Sequence, residues 1–242
     1  MKVLYSSLIS SGVSTVLCNP LEVIRLNIQS GKYTTVGETV KSLYKTNGVI
    51  AFYRGLGFSL TSIPSFWVIY FNFYEKTKTI GINNSIGGYI SSCLASTITA
   101  PIWFVRQKKL LEPEFNLYKT IKNNGFKPFY NTILPTYFIN MNFIFNVGIY
   151  EKLKKSLPSQ NSLNILMCST TAKFFSTLIT YPIDTIRVMI RNQKPEDKLI
   201  DTFRLIKKWK PSRFYNGLGV YLLKGLPQQG CMFVVYEFLK KY

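Results

Sequence analysis

Six long stretches of apolar and small polar residues, separated by shorter charged ones, organise this chain. Val3 to Leu21 carries no charge over 19 residues, Gly55 to Tyr74 none over 20, Thr79 to Val105 none over 27 and Pro128 to Tyr150 none over 23. Each is long enough to cross a hydrocarbon core of ~30 Å as a helix, which takes about 20 residues. The fifth stretch, Ser162 to Ile183, is interrupted once by Lys173, and the sixth, Asn216 to Tyr236, once by Lys224. The six fall into three pairs. Within each pair lies a charged segment: Arg25 to Arg54, Arg106 to Lys127 and Arg187 to Arg213. Between pairs the connections are short, near Gly81 to Asn84 and Pro158 to Asn161. Val36, Val40, Leu43 and Tyr44 give the first charged segment one apolar face, so a short helix there is expected to lie along a membrane surface. The Lys and Arg content of all three segments puts them on one side, matrix or cytosolic, with both termini opposite.

The stretches are not uniformly apolar. Gly87, Gly88, Ser91 and Ser92 in the third let helices approach closely. Thr61, Ser62, Asn72, Asn140, Asn142, Asn146, Gln228 and Gln229 are more polar groups than six lipid-packed helices need, and they point to a water-filled interior. Charged residues make up only 17%, yet 30 are basic against 11 acidic, a balance that suits a membrane protein handling anions or meeting anionic lipid. The chain has no histidine and no paired cysteines, which argues against zinc sites and histidine-based catalysis. Cys18, Cys93, Cys168 and Cys231 all lie in apolar stretches and read as small buried residues. The N-terminal stretch runs into the fold and has no cleavable signal pattern.

One motif recurs at a fixed period. Pro20-Leu-Glu22-Val-Ile-Arg25, Pro101-Ile-Trp103-Phe-Val-Arg106 and Pro182-Ile-Asp184-Thr-Ile-Arg187 have their prolines 81 residues apart, twice over. Three copies at one period mean a threefold internal repeat, with boundaries at 1–80, 81–157 and 158–242. An acid and a base three residues apart share one helix face. Around a threefold axis those faces meet, and acids pairing with the bases of neighbouring repeats shut one end. Pro20, Pro101 and Pro182 are expected to kink their helices so that the ends converge. A second set stands at the opposite ends: Glu75 and Lys78, Glu151 and Lys154, Glu237 and Lys240. Two rings that are not closed together give alternating access.

With Tyr53-Arg54-Gly55, Tyr215-Asn216-Gly217, the weaker Gly125 with Tyr130-Asn131, and Tyr-Glu-x-x-Lys at Tyr74, Tyr150 and Tyr236, the chain resembles the mitochondrial carrier family over nearly its whole length. The resemblance implies an all-α membrane protein. Its six transmembrane helices would form three helix–loop–helix repeats with pseudo-threefold symmetry and short surface helices on the matrix side. It also implies a monomer, with cardiolipin at the matrix-side helix ends, no cofactor and no nucleic-acid partner. By the family's pairing, Glu22 meets Arg106 and Asp184 meets Arg25. Trp103 occupies the acid position of the second motif, so Arg187 is expected to lose its partner. The family's glutamine beneath the ring fits Gln29, whereas Leu110 and Arg191 stand there in the other repeats. A Pro-x-Trp second motif is similar to carriers of pyrimidine nucleotides, NAD, FAD and folate. The segment around Pro20, with Glu22 and Gln29, resembles the pyrimidine nucleotide carriers in particular.

Lys173 and Lys224 are the leading substrate contacts, because a charge inside a spanning helix usually faces a cavity. Lys224 lies 13 residues before Glu237, ~20 Å along a helix, and is read as a lone cation near mid-membrane. Ser62, Ile63, Ile139 and Asn140 are expected at a similar level, and Asn140, Ser62 and Gln228 are expected to bond a base or ribose. The reading is exchange of nucleotides, or of a nucleotide-derived cofactor, across the mitochondrial inner membrane or that of a reduced mitochondrion or other organelle. No bond is made or broken, so the protein is no enzyme. The rivals are a carrier of another anion, such as ADP/ATP or a carboxylate, and a soluble basic helical repeat that binds RNA.

Overall fold

A computed structural model describes residues 2–112, 114–156, 162–192, 207 and 209–225. Every regular element among them is helical: α1 (Lys2–Gln29), α2 (Val36–Asn47), a 3-10 turn (Gly48–Tyr53), α3 (Leu56–Thr79), α4 (Asn84–Leu111), α5 (Leu117–Asn124), α6 (Lys127–Tyr130), α7 (Ile133–Asn140), α8 (Asn142–Lys155), α9 (Ser162–Asn192), a second 3-10 turn (Pro211–Tyr215) and α10 (218–225). The odd helix of each repeat is long. α1 and α4 have 28 residues each and α9 has 31, or ~42 to 46 Å, which exceeds a hydrocarbon core. Each of the three continues through its motif proline.

Among the described residues, α4 alone is long and apolar enough to cross a membrane by composition. Its stripe of Gly87, Gly88, Ser91, Ser92, Ala95, Ser96 and Thr99 is buried, so the groups that lower its hydropathy face neighbouring helices rather than lipid. α3 packs along this stripe, where a β-carbon on Gly87 would come within 2.6 Å of the Thr77 hydroxyl. The fourth apolar stretch is not one helix. It is divided into α6, α7 and α8, with a turn at Met141, and α7 and α8 both pack on α9.

The surface helices form from local signals. The Thr35 hydroxyl accepts the Glu38 amide, and the Glu38 carboxylate accepts the amide and hydroxyl of Thr34, which caps α2 at both levels. Those bonds, led by the one from the Thr34 amide, hold the Glu38 carboxyl below its ordinary value. Asn116 caps α5 by accepting the Lys119 amide. The expected apolar face of α2 divides in two. Leu43 is buried in the core, whereas Val36, Val40 and Tyr44 are exposed and free to meet a membrane surface.

The largest core cluster lies at the motif end of the bundle. Val23, Ile24, Leu26 and Ile28 of α1 pack there with Leu110 and Leu111 of α4, Val188 of α9 and Val220 of α10. Gly55 and Gly217 begin α3 and α10 against it, with φ of 66° and 80°. A β-carbon at Gly55 would lie 3.0 Å from Leu110 Cγ, and one at Gly217 3.3 Å from the Arg25 carbonyl oxygen. Both the left-handed backbone and the close approach therefore require glycine. Cys18 and Cys168 are buried as expected, but Cys93 is only half-buried, and Cys231 lies outside the described residues.

Candidate functional site

The three motifs converge. Arg106 Nη2 of the second repeat lies 3.3 Å from Glu22 Oε1 of the first, and Arg25 of the first is paired with Asp184 of the third. These are the two pairings expected from the motif. All four side chains are buried, Glu22 and Arg25 on α1, Arg106 on α4 and Asp184 on α9. Each base has a further hold one turn into the even helix beside it. Arg106 Nε donates to Ser59 Oγ at 2.9 Å, and the Arg25 guanidinium lies 4.6 Å from the centre of the Tyr221 ring. Gln29 sits beneath the ring, its Nε2 3.1 Å from both Asp184 Oδ2 and Thr185 Oγ1, and so ties the first repeat to the third.

Two expectations need correction. Arg187 does not lose its partner, because it pairs with Asp184 within its own helix, three residues away. Asp184 thus serves two arginines, its second oxygen being free for the cation that Trp103 leaves without an acid. Nor is Lys224 a lone cation. Its Nζ lies 2.9 Å from Glu22 Oε2, so it reaches from α10 into the ring. Glu22 consequently holds Arg25, Arg106 and Lys224 together. The long, flexible lysine stem makes this reach possible, and a count of residues along the helix axis does not register it.

Trp103 lies over its own motif's base, with the Arg106 guanidinium 4.9 Å from the ring centre, and meets Phe66 edge-on. Where an acid would pair, an aromatic face takes up an arginine already paired elsewhere.

The remaining candidates are divided. Lys173 is exposed on α9, with Nζ 3.4 Å from Asn142 Oδ1. Ile63 and Ile139 are half-buried. Ser62 and Asn140 do not face a cavity in this conformation. Ser62 is wholly buried and donates to the Ser59 carbonyl, and Asn140 Nδ2 donates to Ser96 Oγ at 3.0 Å across the α4–α7 contact. Asn142 and Asn146, which reach Thr180 and Ser176 on α9, form a polar seam that the sequence showed only as scattered polar positions. At the other end Glu75, Lys78 and Glu151 are exposed and Lys154 is half-buried, and among the described residues no ion pair joins them. Gln228, Glu237 and Lys240 lie outside the described residues.

The mitochondrial carrier protein family model matches residues 1–85, 81–161 and 158–242, three times in tandem. The chain belongs to that family. The carrier is 24% identical over 286 residues to mitochondrial substrate carrier family protein M of Dictyostelium discoideum, covering 98% of this chain and 94% of that one. It is 25% identical over 276 residues to nicotinamide adenine dinucleotide transporter 2, mitochondrial, of Arabidopsis thaliana, covering 95% and 76%. It is 24% identical over 261 residues to peroxisomal membrane protein PMP34 of Mus musculus, covering 90% and 85%. As a member of the mitochondrial carrier family the protein is a transporter built from three repeats, and every regular element among its described residues is helical.

Proposed function

We propose that the carrier exchanges nucleotides, or a nucleotide-derived cofactor, by alternating access. The observation that carries this reading is the charge of the matrix ring. Among the described residues, buried Arg25 and Arg106 and half-buried Arg187 and Lys224 share Glu22 and Asp184 in one connected network. Four cations on two carboxylates leave two positive charges at the foot of the cavity, where low dielectric makes each contact with an anion strong. Lys173, exposed on α9, adds a third cation. A phosphorylated ligand supplies the missing negative charge, and the similarity to proteins named as nicotinamide adenine dinucleotide transporters fits a nucleotide scaffold.

In this reading Lys224 and Lys173 hold phosphate, while Ile63 and Ile139 offer apolar contact and Gln228 a polar one. Ser62 and Asn140 fix helices rather than substrate. The matrix gate comprises Glu22, Arg25, Arg106, Asp184, Arg187 and Gln29, with Trp103 as its aromatic member. Glu75, Lys78, Glu151, Lys154, Glu237 and Lys240 form the cytoplasmic gate. The three repeats, meeting near residues 80 and 157, work as one monomeric transport domain with cardiolipin at its matrix-side helix ends. Nothing is bonded or cleaved, so the carrier is not an enzyme.

Competition for uptake into proteoliposomes tests the reading. Nucleoside di- and triphosphates or dinucleotides are expected to compete above malate, phosphate and lysine, and the best competitor to raise the melting temperature of the purified carrier. Lys224→Ala is expected to abolish exchange while still inserting. Malate or lysine as best competitor would overturn the nucleotide assignment, as would wild-type exchange by Lys224→Ala.

A further inference from the structure

The three contacts between repeats at the matrix gate have different compositions. Between repeats one and two, Glu22 meets Arg106, and Gly55 admits Leu110 at the position beneath the ring. Between three and one, Asp184 meets Arg25, Gln29 braces Asp184 from the same position, and Gly217 lies against Arg25. Between two and three, every one of these parts is changed. Trp103 replaces the acid, Thr132 stands where the other repeats have Gly55 and Gly217, and Arg191 stands where they have Leu110 and Gln29.

Two of those departures meet. Arg191 Nε donates to Thr132 Oγ1 at 2.9 Å, and its Nη1 donates to Gln107 Oε1 at 3.3 Å. Gln107 in turn donates through Nε2 to the Val188 carbonyl at 3.1 Å, so the contact is made in both directions. Arg191, Thr132 and Gln107 are 5%, 1% and 4% exposed. A buried guanidinium is costly unless its donors are used, and here two of them are spent across the contact on two different side chains. The fixed fork of arginine serves both acceptors at once, as a lysine ammonium does not.

We propose that Arg191 is the latch between the second and third repeats, performing with neutral acceptors the closure that an acid–base pair performs at the other two contacts. Thr132 is its partner because a glycine there would offer no oxygen. The latch belongs to the gate and is indifferent to which solute is carried.

The test is leak of chloride from proteoliposomes holding the full-length carrier without substrate, read together with melting temperature in detergent. Arg191→Leu and Arg191→Lys are expected to raise the leak roughly tenfold or more, the scale set by two hydrogen bonds to a charged group. Thr132→Gly is expected to raise it less. Trp103→Asp should rescue Arg191→Leu, because the observed pairing order gives an acid at 103 to Arg187, across the same contact. Leu110→Gln, which adds a brace between repeats one and two, should not. A contact-specific rescue is not expected of a residue that merely fills space. Wild-type leak in Arg191→Leu would overturn the proposal, as would equal rescue by both second substitutions. Should Arg191→Leu fail to fold, Thr132→Gly and Gln107→Leu carry the test, and wild-type leak in both overturns it.

Discussion

The two ends of the bundle use the same kinds of residue to opposite effect. At the motif end Glu22, Arg25, Arg106 and Asp184 of three repeats are buried together, and Glu22 alone joins Arg25, Arg106 and Lys224. At the opposite end Glu75, Lys78 and Glu151 are exposed, and no ion pair connects the described members of the second set. A charged pair contributes little in water and couples strongly once desolvated. Among the described residues, ion pairs thus join the repeats at the motif end and not at the other, and substitutions at the two ends should differ sharply in effect.

The largest effect is expected from Glu22→Gln. Removing this carboxylate leaves buried Arg106 and half-buried Lys224 with no acid among the described residues, while Arg25 keeps Asp184, and breaking a buried pair typically costs about 3–5 kcal/mol. A large fall in melting temperature of the substrate-free carrier should follow, and an unchanged melting curve would mean that the network contributes nothing to this state.

Trp103→Asp should move in the opposite direction. An added acid for Arg187 ties repeats two and three, raises the melting temperature, and slows exchange by roughly tenfold if it adds about 1.4 kcal/mol to the closed state. High salt should diminish the slowing, since the new contact is ionic. Unaltered exchange in a folded mutant would leave Trp103 as a packing residue.

Lys78→Ala tests the exposed end. Its ammonium lies 4.6 Å from the Tyr74 ring centre and meets no carboxylate among the described residues, so stability should change by no more than about 0.5 kcal/mol. Exchange should nonetheless suffer, because the cytoplasmic ring must close in the other state. A mutant with normal exchange would remove Lys78 from the gate.

The smallest effect is local and depends on pH. The Glu38 carboxyl is held below its ordinary value by hydrogen bonds from Thr34, led by the amide. Its contribution to α2 is thus present above the unfolded value and is lost as pH falls through the folded one. Protection of α2 amides from hydrogen exchange, corrected for intrinsic rates, should drop across that acid range in the wild type. The same protection should stay flat in Glu38→Gln.

The sequence made the periodic features legible. The repeat spacing and the acid–base helix face follow from the periodicity, whereas the pairs Glu22–Arg106 and Asp184–Arg25 and the place of Gln29 beneath the ring are implied by the family resemblance. What escaped was set by side-chain reach and by departures from the repeat. Lys224 was counted along a helix axis, whereas its stem bends to Glu22. Helix register places Asn140 near the level of Lys224 but does not show that packing on α4 gives its amide Ser96 as a partner. The Arg191–Thr132 contact did leave a signal. Both residues break the repeat pattern, and two such breaks at one contact are worth testing as a pair.

Glu22 has one further consequence. Its two oxygens are shared by Arg25, Arg106 and Lys224, from the first, second and third repeats. A pairwise ring can loosen one contact at a time, but here the cations of the second and third repeats both close on one carboxylate of the first, so a shift of α1 that carries Glu22 away breaks both contacts together. Opening should accordingly be cooperative, with half-released intermediates scarce and the carrier passing between its two states in a single concerted step.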